Sequence, residues 1–386
     1  MSLLTNKQVA IIGGGPAGLM TAVLLQQRGA AVTVYERDPG PEARIWGGTL
    51  DIHRDSGQRA LEAAGLLEQF YQLAWPTAER MAAPDGTILE DEPMEEATAY
   101  WRPEIDRPDL RRLLLGALAP GTVVWGQQFE NLAELPDGRF ALHFAGQPEQ
   151  VADVIVGANG GRSRVRHYVA GAELVYSGTV YVQGDLYDPA TKAPALAALV
   201  NGGNLMVLGE RNLFVSHTKA DGTLELGVSF RMPEHGPAAQ GISSEHPETV
   251  RQLLCTTLAD WAPLFQAGFA ATDEWRVLPL YFVPLTPERA VTRPITLVGD
   301  AAHLMPPFAG VGVNVGLLDA LHLADHLSND AHPDLNAAIA AYERTMYTYA
   351  HHAQAMTARA ERSLHGEAQA GEADALADHA AWNELL

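Results

Sequence analysis

Three glycines near the start of the chain carry the first chemistry. Gly13, Gly15 and Gly18 stand in the spacing G-x-G-x-x-G, after the apolar run 9–12 and before a helix-forming stretch that closes at Gly29. Gly13 allows a tight turn, Gly15 leaves room for a pyrophosphate, and Gly18 lets the helix pack close to the strand. The helix start then offers free N–H groups and a positive dipole end to phosphates. A second apolar run, 31–35, ends in Glu36. It lies about twenty residues past the first glycine, where an acid accepts hydrogen bonds from a ribose. An acid here repels a 2′-phosphate, so the turn suits FAD or NAD over NADP. Arg37 follows Glu36 and is a further candidate contact to the cofactor.

Two later strand ends repeat the arrangement. The apolar run 151–157 leads into Asn159-Gly160-Gly161 and the arginines Arg162, Arg164 and Arg166. The run 295–299 leads into Asp300-Ala301-Ala302-His303, then Pro306-Pro307-Phe308-Ala309-Gly310 and a helix expected to start near Gly312, with Val313 and Asn314 in its first turn. Ligands of open parallel sheets bind beyond the carboxyl ends of the strands, so three such ends point to one place. Arg44 precedes Gly47-Gly48, with Asp51 and His53 after them. A basic residue beside glycines can meet a phosphate, or simply sit on a surface loop. Arg107 and Arg111 lie four apart on an expected helix and share a face, either to hold a phosphate or to solvate that face. His303 reads as a packing or hydrogen-bonding residue, and His351-His352 lack further ligands at metal spacing, so no metal site is expected.

These residues need a scaffold, and its outline is legible. Helices are expected over 19–28, 56–70 (with Ser56 as N-cap), 107–118, 245–261 and 337–361. A hairpin is expected around Pro84-Asp85-Gly86, followed by an acidic loop over 90–96. Between 178 and 230 the pattern changes to alternating strands, the mark of an antiparallel layer, and 275–283 reads as a strand broken by Pro279. The expected fold is α/β: a Rossmann-like unit with an inserted antiparallel sheet and a long C-terminal helix, with a helical tail from Gly366. The expected division is a discontinuous cofactor domain (1–75, 100–170, 290–325), a substrate domain (76–99, 171–289) and a bridging C-terminal segment (326–386).

The chain has 386 residues and a formal net charge of −21, which argues against nucleic acid and anionic membranes as partners. Hydrophobic residues make up 47%, enough for a sizeable core. Cys255 is the only cysteine, which fits a reducing compartment. With no leader-like start and no apolar span of bilayer length, a cytoplasmic protein is expected, monomeric or weakly homo-oligomeric.

Taken together, the motifs resemble those of the FAD-dependent aromatic hydroxylases, the group A flavoprotein monooxygenases. The stretches EARIWGGTLDIH, GQRALEAAGLL, ANGG and GDAAHLMPPFAG-x-GVN are most similar to those of the tetracycline-inactivating branch, which also carries asparagine at the position of Asn159. The resemblance implies FAD as cofactor, NADPH or NADH as transient reductant and O₂ as co-substrate. An aromatic or phenolic small molecule would be hydroxylated through a flavin C4a-hydroperoxide with no side-chain base. It further implies FAD contacts from Glu36, Asp51, Arg107 and Asp300, with Arg44 near the flavin and Arg111 as a weaker contact. The segment Pro307, Gly310, Gly312, Val313 and Asn314 would face the flavin. Substrate would meet Gln183, Asn204, Met206, Phe214, Glu225, Gly227 and Phe308. Asn204 and Glu225 stand where the tetracycline enzymes have an arginine and a histidine, so the polar readout of the ligand differs from theirs. Rival readings are a flavin oxidoreductase without oxygen insertion and a non-catalytic antibiotic-binding flavoprotein.

Overall fold

The structure is a computed structural model that describes residues 3–43, 47–285 and 289–367. Arg44 and nearly all of the tail expected to be helical lie outside these residues.

The chain begins with a βαβ unit: β1 (Gln8–Ile12), α1 (Pro16–Gln27) and β2 (Ala31–Tyr35). Helix α2 (Gly57–Ala63) precedes the hairpin β3 (Glu79–Ala82) and β4 (Ile88–Glu92). Helix α3 (Arg107–Gly116) returns to the short strand β5 (Val123–Val124). Strands β6 (Phe129–Glu134), β7 (Phe140–Phe144) and β8 (Gln150–Ala152) form a small antiparallel layer, and β9 (Val154–Gly157) follows. Then come β10 (Val175–Leu186), α4 (Pro194–Val200), β11 (Asn204–Leu208), β12 (Asn212–Thr218) and β13 (Leu224–Arg231). Helices α5 (Pro247–Thr257) and α6 (Pro263–Ala271) precede β14 (Glu274–Phe282). The chain closes with β15 (Ile295–Leu297), the single turn α7 (Asp300–His303), α8 (Gly312–Ser328) and α9 (Leu335–Leu364).

Two sheets carry the architecture. Five parallel strands run in the order β15-β9-β1-β2-β5, with apolar side chains on both faces of the central strands. Seven strands form the larger sheet, in the order β14-β10-β13-β12-β11-β3-β4, antiparallel except where β11 runs beside β3. One face of the larger sheet is closed by α4, α5 and α6 over a second buried cluster. Its other face turns toward the strand ends of the parallel sheet.

Several expectations need correction. The run 151–157 is two strands in two sheets: Asp153 breaks it by accepting from the Gln8 N–H and the Lys7 ammonium, both at 2.9 Å. Pro279 does not break β14. That strand lies at the sheet edge, where a missing N–H is tolerated, and the register shifts between Tyr176 and Val180. The acidic 90–92 segment is part of exposed β4 rather than a loop. Ser56 precedes α2 but its hydroxyl makes no cap bond.

Phe214 is also corrected as a substrate wall. Strand alternation sends it to the helix-covered face beside Val228 and Val207. It is fully buried, with ring centroids 5.4 Å from Phe265, 6.0 Å from Phe269 and 6.4 Å from Trp261. Replacing a buried phenylalanine with alanine costs about 3–5 kcal/mol through lost burial and the cavity left behind. Phe214→Ala is therefore expected to lower stability by that amount in urea unfolding. FAD affinity in the surviving folded fraction should not change.

Candidate active site

The first turn is built as its glycines require. Gly13 has φ +113°, and a Cβ there would lie 2.4 Å from the Ala158 carbonyl oxygen. A Cβ on Gly18 would lie 2.2 Å from the Gly13 carbonyl oxygen, so strand and helix touch backbone to backbone. Gly15 is open, with nothing within 4 Å of the added atom, and α1 starts there with no side-chain cap. Glu36 is buried, and its carboxylate accepts from the Gly14 and Asp38 N–H groups. The acid thus fixes the turn as well as facing it. Arg37 beside it is exposed.

The third strand end is held from below. Asp319, fully buried in α8, accepts from the Gly299 N–H, from His303 Nε2 and from the Tyr349 hydroxyl, each at 2.6 Å. Asp300 projects the other way. Its side chain is exposed, yet desolvation by the surrounding protein raises its carboxyl, against the opposing pull of His303, Arg107 and Arg166. That combination describes a group lining a hollow. Among the described residues its carboxylate has no hydrogen-bond partner. Arg166, whose role the sequence did not indicate, ties the second glycine turn to this strand end. It donates to the carbonyls of Ala301 (2.8 Å), Gly161 (2.7 Å) and Asp300 (3.2 Å).

Helix α8 begins at Gly312 with no side-chain cap and open space around that glycine. Asn314 stitches this helix start to the segment carrying Asp51. Its Nδ2 donates to the Asp51 carbonyl (2.9 Å) and its Oδ1 accepts from the His53 N–H (2.8 Å). The Asp51 carboxylate pairs with His53 Nε2 at 2.8 Å. Pro307 and Gly310 are exposed along the same rim, Val313 is half-buried, and Phe308 meets the His365 ring edge-on at 5.3 Å. His365 comes from the end of α9, and nothing in the sequence pointed to it.

Arg107 and Arg111 do not act as a pair. Arg111 is buried, bonded to Asp38 (2.9 Å) and stacked over Trp125 (5.2 Å), so the helix face they share is split between two tasks. Arg107 donates to the Gly48 carbonyl at 2.9 Å. Burial lowers its pKa, opposed first by Glu225 and then by Asp300.

The inward face of the larger sheet supplies a floor whose rows follow from strand register. One row is Glu79, Asn204, His217, Glu225, Asp185 and Glu274. The next is Met81, Met206, Val215, Gly227, Gln183 and Arg276. A polar, mostly acidic row thus lies beside a mainly apolar one. Asn204 is on the floor but is spent on protein. Its amide donates to Glu104 (3.1 Å) and Glu79 (3.2 Å), and its oxygen meets His217 Nδ1 (3.0 Å). Gln183 donates to Glu225 Oε1 at 2.7 Å. Tyr181 packs over Gly227, whose added Cβ would lie 1.8 Å from the hydroxyl. Burial, then Glu225, keep that phenol protonated.

Two outcomes follow. Hydrogen bonds to charged groups contribute about 1.5–3 kcal/mol, so Glu36→Gln should weaken FAD binding to apoprotein roughly tenfold or more in a flavin fluorescence titration. Burial opposes protonation of His303, but the Asp319 carboxylate outweighs it and the pKa lies above the ordinary 6.5. A raised folded pKa gives stability that is complete below 6.5 and is lost as pH rises through the folded value. Melting temperature should fall over that window in the native protein and lose this dependence in Asp319→Asn.

An uncapped α1 start, a buried acid at the ribose position, a lone carboxylate in a hollow and a second uncapped helix start fit the phosphates, sugar and ring of FAD. The FAD binding domain family matches residues 6–209 and 288–362. The monooxygenase asqM of Emericella nidulans is 32% identical, over 91% of this chain and 94% of the relative. Among solved structures, Klebsiella pneumoniae HpxO complexed with FAD and uric acid superposes with TM-score 0.77 at 20% identity, covering 99% of this chain and 93% of that one. The tetracycline destructase Tet(55) superposes with TM-score 0.74 at 18% identity, covering 98% and 95%. The chain belongs to the FAD binding domain family and is an FAD-dependent monooxygenase of the aromatic hydroxylase type.

Proposed function

We propose that this enzyme hydroxylates a planar polycyclic aromatic or phenolic molecule held between the flavin and the inward sheet face, using NADPH or NADH as transient reductant and O₂ as co-substrate. The observation that carries the reading is the meeting of the three strand ends and the open start of α8 with a floor that is apolar in one row and polar in the next. Bound FAD supplies the electron transfer and oxygen activation. The protein supplies place and environment. Gly13, Gly15 and Gly18 with the start of α1 would hold the pyrophosphate, and Glu36 the adenosine ribose. Asp51, Arg107 and Asp300 would meet the ribityl region. Gly312, Val313 and Asn314 would turn N–H groups and a positive helix end toward the pyrimidine edge, favouring negative charge there. Pro307, Phe308 and Gly310 would wall the ring. Met206 and Gly227 would support the substrate plane and exclude water, with Gln183 and Glu225 at its polar edge.

No side-chain base is assigned, since the reading needs none. The division into a discontinuous cofactor domain and a substrate domain belongs to this proposal and is supported by the two separate buried clusters. So does a cytoplasmic, monomeric or weakly homo-oligomeric enzyme, with which the lone Cys255 is consistent. Tetracyclines are the first substrates to try, on the strength of the sequence resemblance.

The test is mass spectrometry of the FAD-loaded protein with a tetracycline, then a phenol panel, under labelled oxygen gas with NADPH or NADH. A product heavier by one labelled oxygen, absent without reductant, is the expected result. Reductant consumed with every substrate unchanged would overturn the hydroxylase reading in favour of an oxidoreductase without oxygen insertion.

A further inference from the structure

Resting on the hydroxylase reading, we propose that the site selects its substrate by an N–H or O–H donor on the aromatic edge, accepted by Glu225, and rejects substrates that carry a carboxylate there. Glu225 is only 3% exposed, and its Oε2 has no hydrogen-bond partner. That oxygen is aimed at the Gly47–Gly48 segment, since a Cβ on Gly48 would lie 2.1 Å from it. The Arg107 side chain lies on the same segment, its Nε donating to the Gly48 carbonyl at 2.9 Å. The other oxygen is fixed by Gln183 at 2.7 Å, so the carboxylate cannot easily turn away.

A second acceptor lies beyond it. Glu104 is 5% exposed; Oε1 takes the Asn204 amide and Oε2 is unpartnered. Asp185, in the same row as Glu225, differs in having its own cation, Lys219 at 2.6 Å. Asn204 spends its amide on Glu79 and Glu104 and its oxygen on His217 Nδ1. Glu225 in the row and Glu104 beside it therefore each hold a buried oxygen without a hydrogen-bond partner, on a scaffold that keeps them in place. A buried acceptor left without a donor is costly, and a site built around one discriminates strongly between ligands that have the donor and ligands that lack it. A ligand carboxylate would add like charge beside Glu225 at short range. The apolar row of Met81, Met206 and Val215 beside this edge gives the ring plane somewhere to lie.

The test uses three probes of one shape: 2-naphthol, 2-methoxynaphthalene and 2-naphthoate. Each is titrated into the FAD-loaded enzyme, and binding is read from the flavin absorbance change. In the native enzyme 2-naphthol should bind about tenfold or more tighter than either of the others. In Glu225→Gln with unchanged FAD content, the advantage over the methyl ether should fall toward one and 2-naphthoate should gain roughly tenfold. Equal binding of naphthol and naphthoate by the native enzyme overturns the proposal, as does binding by none of the three or an unchanged order in the variant. Should the variant not fold, the order in the native enzyme decides alone. Labelled oxygen in products is scored separately. The expected binding order with no oxygen insertion into any substrate would defeat the hydroxylase reading and leave donor selection standing.

Discussion

The carboxylate of Asp319 is the point on which the cofactor side of the molecule hangs. It is a fully buried charge, and such a group is tolerable only when its oxygens are satisfied. Three donors satisfy it: a backbone N–H at the end of β15, an imidazole one turn later, and a hydroxyl from α9. Each donor belongs to a different stretch of chain, so one side chain fixes strand, turn and two helices relative to each other. The turn it fixes is the one that carries Asp300 into the hollow. Removing the carboxylate would orphan three polar groups at once, and the site would loosen from beneath rather than lose a contact to its ligand.

The long helix α9 extends the same logic to the other sheet. Its N-terminal half bonds to the parallel sheet, through the Tyr342 hydroxyl on the Leu297 carbonyl and Glu343 on Thr296 and Arg289. Its C-terminal half bonds to the larger sheet, through Glu361 on Thr179 and Arg231 and through His365 on Ser229. Thirty residues of helix span about 45 Å, so a single rigid rod sets the gap between cofactor turn and sheet floor. His365 then reaches Phe308 on the rim. A change of sequence far down this helix would therefore act on the width of the site without touching it.

What the sequence disclosed followed from local rules. The glycine turns, the acid after β2 and the run from Asp300 to Asn314 were legible because each depends on neighbours within a few residues. Misreadings arose where distance or parity decided. Phe214 and Met206 lie on adjacent strands of one sheet, yet only register tells which of them faces inward, and a one-residue shift exchanges the two faces. The bond of Arg111 to Asp38 and its stacking on Trp125 were not visible in the sequence, because both partners come to it only through folding. Asn204 looked like a ligand contact because nothing local shows that Glu79, Glu104 and His217 will use up its amide.

The same distinction explains why cofactor and substrate are unequally legible. In the proposed site FAD would be held largely by backbone: bare N–H groups at helix starts and close approaches that only glycine permits. Backbone geometry leaves its mark as glycine spacing, which survives in any sequence that folds this way. Substrate would be read by side chains on a sheet floor, where each residue's meaning depends on its neighbours across strands. Glu225 with a donor from Gln183 and a lysine would be a buried ion pair. With Gln183 alone, and Lys219 given instead to Asp185, it is an acceptor left open. The chemistry of the floor lies in which carboxylate receives the lysine, a fact of three-dimensional arrangement rather than of composition.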